Sequence, residues 1–360
     1  MAIGLINTYS TLNLGDAAIY SAFRHLLAEE EILACVPDQQ PDRNLGITFL
    51  CQPPRHCQSY VSVGGDIFNN SREWLFTRAF LRNIKELQLA PSRTILFGQS
   101  IPRSCHGTSF FLLRQSLEKL AAVCVRDADS QSRLRRAGVQ SRLSFDAAFV
   151  LQANEIANEY VEQRFRTQGI KPSSAAAVSV RMFDSHYLHS NQRFLETMTV
   201  LCKSLATEGR IPVVMIQSKA YGADNDLEIA RTLQQRVPST TIFDPFMDGA
   251  PVPSWQVAMA VFSMVDLIVA VRFHTAVLAL AAGRVPYHIH YSNKGRDLCQ
   301  RLGLPGCDLN RFNPETAMPS IIATRHHQFD HRQLRSRVSD DFHWCLSQLA
   351  TSQSLGKRNG

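Results

Sequence analysis

The chain lacks the short signatures by which many enzyme classes declare themselves. It has no Gly-x-Ser-x-Gly elbow and no glycine-rich loop ending in Gly-Lys-Ser/Thr, so serine-hydrolase and P-loop readings have no footing. Its nine cysteines (35, 51, 57, 105, 124, 202, 299, 307 and 345) include no Cys-x-x-Cys pair, which removes the usual sign of a zinc site or dithiol redox centre. An odd, scattered set fits reduced and mostly buried thiols in a cytosol. Low-complexity tracts and short-period repeats are absent, which excludes a solenoid. No basic stretch precedes an apolar one at the start, and Asn7 interrupts the first apolar run before it reaches secretory length. The most apolar stretch, Val257 to Val271, carries Asp266 and falls short of the roughly 20 residues a spanning helix needs. Runs of Lys or Arg interleaved with aromatics are missing too, so the net charge of +7 does not read as a nucleic-acid surface. These absences leave a cytoplasmic protein with at most peripheral contact at the inner face of a membrane.

What is present is a long α/β pattern. At 360 residues the chain is too long for one ordinary domain and comfortable for two, each with its own core. Short apolar runs alternate with amphipathic stretches, the signature of β-α units feeding a mainly parallel sheet. In the first half, strands are expected at Ile3–Asn7, Ile47–Leu50, Tyr60–Val63, Thr94–Phe97, Val123–Val125 and Leu143–Phe145. In the second, they are expected at Ala176–Val180, Val213–Ile216, Thr241–Phe243, Leu267–Val271 and Tyr287–Tyr291. A polar, helix-prone segment closed by Lys171-Pro172-Ser173-Ser174 reads as the connection between halves. The expected division is residues 1–153, a linker helix and turn over 154–174, a second domain over 175–325, and a terminal helix and tail over 326–360.

The sharpest chemical signal is Arg272-Phe273-His274, where a fully apolar strand ends and runs directly into a small-residue helix. Ligands of open parallel sheets bind beyond the carboxyl ends of strands, where the next helix offers free N–H groups and the positive end of its dipole. Arg181 ends another strand, and Tyr291-Ser292-Asn293-Lys294 follows a third, so several cations share one rim. Such a rim suits a small ligand carrying both phosphate and carboxylate. The competing reading pairs Arg272 with a carboxylate and makes His274 a capping or core histidine. In the first half, Asn13-x-Gly15-Asp16, Gly64-Gly65-Asp66, Gly98-Gln99-Ser100-Ile101-Pro102 and Arg126-Asp127 also end strands, and Asp16 reads equally as a helix cap. Two histidine pairs, His186 with His189 and His288 with His290, have no third partner at metal-ligand spacing, so no metal site is assigned.

Taken in order, Asn13-x-Gly15-Asp16, Gly64-Gly65, Gly98-Gln99-Ser100-Ile101-Pro102, Arg126-Asp127-x-x-Ser130, Asp146-x-Ala-Phe149, Arg181, Arg272-x-His274 and Tyr291-x-x-Lys294 resemble the polysaccharide pyruvyltransferase family. Asp66 stands where the family usually has a third glycine, Phe273 where it has leucine, and Ile101 where another glycine is common. The resemblance implies a glycosyltransferase-B-like pair of Rossmann-like domains with the active site in the cleft between them. It further implies that phosphoenolpyruvate is held by Arg181, Arg272 and His274 in the second domain, with Phe273, Ser292 and Lys294 beside them. A sugar acceptor, lipid-linked or polymeric, would lie against Asn13, Gly64, Gly65, Gln99 and Arg126. The implied product is a pyruvate ketal, with His274 as acid, Asp16 as base and no cofactor. A nucleotide-sugar glycosyltransferase of the same fold, or a non-catalytic relative that binds glycans or anions, are the alternatives.

Overall fold

Mostly buried strands alternating with helices build two parallel sheets in the computed structural model, which describes residues 2–70, 75–183, 190–220, 224–247 and 249–358. The chain divides into two units. The first comprises Met1–Thr11, Ala18–Val150 and Arg332–Gly360, and the second Leu12–Ala17 and Leu151–His331.

The first unit follows the order β1 (Ala2–Ile6), α1 (Leu14–Leu26, whose first turn belongs to the second unit), β2 (Glu31–Ala34), β3 (Thr48–Phe49), β4 (Ser59–Ser62), α2 (Arg78–Leu87), β5 (Thr94–Gln99), α3 (Gly107–Leu117), β6 (Ala122–Val125), α4 (Ala128–Arg136) and β7 (Arg142–Leu143). Its sheet has the order β3-β2-β1-β4-β5-β6-β7, and every pairing is parallel. The second unit runs α5 (Glu155–Thr167), β8 (Ala175–Ser179), α6 (Asn191–Thr207), β9 (Ile211–Met215), α7 (Leu227–Arg236), β10 (Thr241–Phe243), α8 (Ser254–Met264), β11 (Leu267–Ala270), α9 (Phe273–Ala281), β12 (Tyr287–His290), α10 (Asn293–Leu302), β13 (Gly306–Asp308) and α11 (Pro314–Ala323). Its sheet order, β10-β9-β8-β11-β12-β13, repeats the doubly wound scheme of the first. In each sheet the winding reverses once, between β1 and β4 and between β8 and β11, and such a switch point opens a crevice beyond the carboxyl ends of the strands.

The last helix, α12 (Arg332–Arg358), belongs to the first unit. Its Phe342 is fully buried, edge-to-face with Phe23 of α1 at 5.6 Å and Phe97 of β5 at 5.1 Å between ring centroids. Aromatic pairs of this geometry contribute about 0.5–1.5 kcal/mol each beyond the area they bury.

Four features differ from the sequence reading. The segment read as a linker is α5, capped by Asn154 and packed within the second unit, where Phe165 meets Phe243 at 5.6 Å and Arg164 lies 4.1 Å from the same ring. The strands β2 and β13 went unread: each is short, β13 carries no apolar run, and the apolar Ile32-Leu33-Ala34 of β2 follows α1 after only a brief turn. Helix α11 went unread because it holds Pro319 inside it, although Asn313 at its cap and Pro314 at its first position are ordinary start signals.

Candidate active site

The second unit's switch point is closed at its base by Ser179, whose hydroxyl accepts from the backbone N–H groups of Val271 (2.7 Å) and Arg272 (3.1 Å). Beyond that clasp the two strands diverge into Arg181 and Arg272. Helices α9 and α10 follow the neighbouring strands β11 and β12 almost at once, so their N-termini lie side by side. Neither is closed by its own chemistry: the N-caps Arg272 and Ser292 make no side-chain cap hydrogen bond, and neither first turn contains an acidic residue. Helix dipoles favour an anion there by about 0.3–1 kcal/mol each. A charge-assisted hydrogen bond contributes about 1.5–3 kcal/mol, so the side chains on the rim outweigh the dipoles in deciding what binds.

Those side chains are Arg181, His274 and Lys294. Arg181 donates to the Met182 carbonyl at 3.1 Å and to the Tyr291 hydroxyl, and its guanidinium lies over the rings of Phe183 (5.2 Å) and Tyr291 (4.7 Å). His274 is the second residue of α9 and half-buried. Phe273 meets the His274 ring edge-on at 5.4 Å, and the Lys294 ammonium lies 5.5 Å from the Phe273 ring centre. Phe273 therefore gives Lys294 an aromatic face to rest on.

Arg272 is placed differently from the sequence expectation. It is buried, and its guanidinium pairs with Asp224 at 2.9 Å and with Asp226, while its Nε donates to the Val180 carbonyl at 3.2 Å. Burial opposes its charge, but Asp226 and Asp224 more than compensate and hold its pKa above the ordinary arginine value. Burial also opposes charge on Asp224, where Arg272 and hydrogen bonds from Asn13 and Ser218 prevail and keep its carboxyl below the ordinary range. Two carboxylates against one guanidinium make Arg272 the anchor of an internal network, as the pairing alternative held for this residue.

That network brings in a distant piece of chain. Asn13 Nδ2 donates to Asp224 at 2.9 Å, while its Oδ1 accepts from the Gly15 N–H at 3.0 Å at the start of α1. The backbone is stitched alongside, with Leu14 N–H donating to Gln217 O and Lys219 N–H to Leu12 O, both at 2.8 Å. Asn13 and Asp16 were expected on the acceptor side in the first domain, and this pairing is why Leu12–Ala17 belongs to the second unit instead. The consequence for His274 is direct. A Cβ added to Gly15 would lie 1.9 Å from His274 Nδ1 and 2.5 Å from its Cγ, so Gly15 is the floor on which the imidazole rests. Asp16, buried, follows in the same helical turn.

The remaining predicted site residues, Gly64, Gly65, Gln99 and Arg126, gather in the first unit. Gly64 adopts φ +109°, and a Cβ there would meet the Asn7 carbonyl at 2.9 Å, so only glycine fits the turn. Gln99 donates to Ser62 Oγ at 2.7 Å and to the Val63 carbonyl at 2.6 Å. Arg126 is buried, paired with Asp146 at 2.6 Å, bonded to Ser100 Oγ at 2.9 Å and 3.7 Å from Asp66. Asp127 caps α4 and binds Ser130, whose hydroxyl takes the Ile101 N–H at 2.7 Å. These landmarks wire the ends of β4, β5 and β6 to one another.

His288 is a core residue: its Nδ1 pairs with the Ala270 carbonyl at 2.8 Å, and burial pushes its pKa down to about 4. His290 lies beside it at 6.2 Å between rings, whereas His186 and His189 fall outside the described residues. No group of three or more His, Cys, Asp and Glu side chains among the described residues is placed to hold a metal ion. Asp224 and Asp226 escaped the sequence reading. Their one signal was Asp-x-Asp directly before a helix, which reads as capping.

A family model described as polysaccharide pyruvyl transferase matches residues 13–293. No curated protein matches the chain. Among solved structures, the UDP-GlcNAc 2-epimerase from Methanocaldococcus jannaschii is similar at TM-score 0.58 and 9% identity, over 95% of this chain and 100% of that one. Alr3699/HepE from Anabaena, solved in complex with UDP, is similar at 0.53 and 8%, over 99% and 98%. A glycosyltransferase from Rickettsia africae is similar at 0.52 and 8%, again over 99% of this chain and 97% of that one. At such identities these likenesses establish the fold alone, that of glycosyltransferase-B-type enzymes and epimerases.

Proposed function

The chain belongs to the polysaccharide pyruvyl transferase family, and from that premise we propose that its second unit binds phosphoenolpyruvate and transfers the enolpyruvyl group to hydroxyls of a sugar. The observation that carries this reading is the pair of adjoining, uncapped helix N-termini at the β8/β11 switch point, rimmed by Arg181, His274 and Lys294. A ligand with a phosphate at one end and a carboxylate at the other matches two neighbouring positive ends better than a neutral sugar does.

The chemistry needs a proton, positive charge and a base. His274 protonates the donor's methylene carbon, and the adjacent carbon becomes an oxocarbenium-like centre. A sugar hydroxyl attacks it and gives up its proton to a carboxylate, for which Asp16 is the nearest in sequence to the His274 floor. Phosphate then leaves with the C–O bonding pair, stabilised by Lys294, Arg181 and the helix dipoles. A second hydroxyl of the same sugar closes the ketal and releases the second proton. Arg272 serves as an anchor for the start of α9, through Asp224 and Asp226, more than as the first contact of the donor.

Calorimetry with phosphoenolpyruvate and with a UDP-sugar tests this assignment. Phosphoenolpyruvate should bind, and Lys294→Ala and Arg181→Ala should each weaken it by about tenfold or more, the loss expected for one charge-assisted contact. Binding of the UDP-sugar alone would overturn the proposal and favour a nucleotide-sugar transferase on the same fold.

A further inference from the structure

Nine large hydrophobic side chains stand exposed among the described residues, and five of them, Leu75, Phe76, Leu81, Leu89 and Phe111, fall on α2, its flanks and α3. Leu75 is 64% exposed and Phe111 56%, and Phe76, Leu81 and Leu89 are less exposed, with Phe76 stacked on the buried Phe80 ring at 5.7 Å. Helices α2 and α3 follow β4 and β5, which continue across the sheet in the same direction, so both lie on one face of the first unit's sheet. Gln88 Nε2 bonds Ser116 Oγ at 3.2 Å and ties their C-terminal ends together.

On α2 the buried stripe is Phe80, Asn83, Ile84 and Leu87. The opposite stripe, at steps of three and four, is Arg78, Leu81, Arg82, Lys85 and, just past the helix end, Leu89, all exposed. It carries three cations. The one acid of the helix, Glu86, is mostly buried: one oxygen accepts the Asn7 N–H at 2.5 Å, the other lies 3.9 Å from Arg82, and burial pushes its carboxyl above the ordinary range. Leucine and phenylalanine among Arg and Lys, with no outward carboxylate on α2, is the composition that lies in the headgroup layer of an anionic bilayer.

We propose that the outer face of α2, with Leu75, Phe76 and Phe111 beside it, docks the protein on an anionic lipid surface. A helix of ten residues with charges along it rests on such a surface and does not span it. Charge also separates this occupant from a second copy of the chain. A two-fold dimer through this face would set the basic stripe of Arg78, Arg82 and Lys85 against the same stripe of the second copy, where like charges repel. Docking is independent of which donor the second unit binds.

The test is flotation of the whole chain with vesicles of phosphatidylcholine alone and of phosphatidylcholine mixed with phosphatidylglycerol, without donor or acceptor. The protein should bind the anionic vesicles about tenfold or more tightly than the neutral ones, and added salt should weaken that binding. Arg78→Glu with Lys85→Glu should abolish the preference for anionic lipid. Leu75→Asp with Phe111→Asp should lower binding by about tenfold or more at an unchanged unfolding midpoint. The proposal is overturned if the chain ignores anionic vesicles at low salt, or if both double variants bind like the parent. It is equally overturned if sedimentation shows a dimer that the apolar double variant dissolves, since the face then belongs to a second copy.

Discussion

His274→Gln should lower turnover by about a hundredfold or more while leaving phosphoenolpyruvate affinity within about threefold, the pattern expected when a proton donor is lost and the binding frame is kept. Glutamine preserves a planar hydrogen-bonding group of similar length, so contact with the donor persists. What it removes is the capacity to deliver a proton, which an arginine cannot supply and which imidazole supplies near neutrality. Lys294, lying against the Phe273 ring, is suited to holding phosphate as it leaves. Measuring turnover and donor affinity on the same variant separates the roles. Turnover within about threefold of the parent would assign proton delivery to another residue or to water.

An equally large loss is expected from a residue that has no side chain. Gly15→Ala puts a methyl where the His274 ring now lies, with Nδ1 1.9 Å and Cε1 2.6 Å from the added carbon, well inside van der Waals contact. The ring must move, because the floor is backbone held by Asn13 Oδ1 and by the pairing of Leu14 with Gln217. A shift of about 1 Å in a catalytic group commonly costs about a hundredfold in rate. Helix propensity favours alanine over glycine by up to about 1 kcal/mol, less in the first turn where Gly15 lies. Gly15→Ala should thus keep the fold, with helix propensity offsetting part of the overpacking cost of about 1–3 kcal/mol, yet turn over about a hundredfold more slowly. An unimpaired rate would mean that His274 is not held in the pose described.

Much of this molecule was legible in the sequence, and what was not has physical causes. The β-α alternation and the Arg272-x-His274 strand end are local patterns, readable because burial on two faces leaves continuous apolar runs. The Leu12–Ala17 crossover was invisible because it rests on backbone pairing with Gln217 and Lys219, some two hundred residues away, and such pairing leaves no trace in side-chain periodicity. The partners of Arg272 were missed for a related reason: Asp224 and Asp226 sit in a polar stretch that reads as a loop before α7. In the first unit, Arg126 and Gln99, expected as ligand contacts, are also engaged inside the unit by Asp146, Ser100, Ser62 and Val63, partners that local sequence patterns do not show.

The most direct measurement is of the product. The protein is incubated with phosphoenolpyruvate and a panel of free, polymeric and lipid-linked glycans, and each glycan is examined by mass spectrometry while released phosphate is counted. The expected result is a pyruvate adduct on one class of glycan, matched by one phosphate per adduct and absent with His274→Gln. Transfer of a glycosyl unit from a nucleotide sugar, with no pyruvate adduct on any member of the panel, would contradict it.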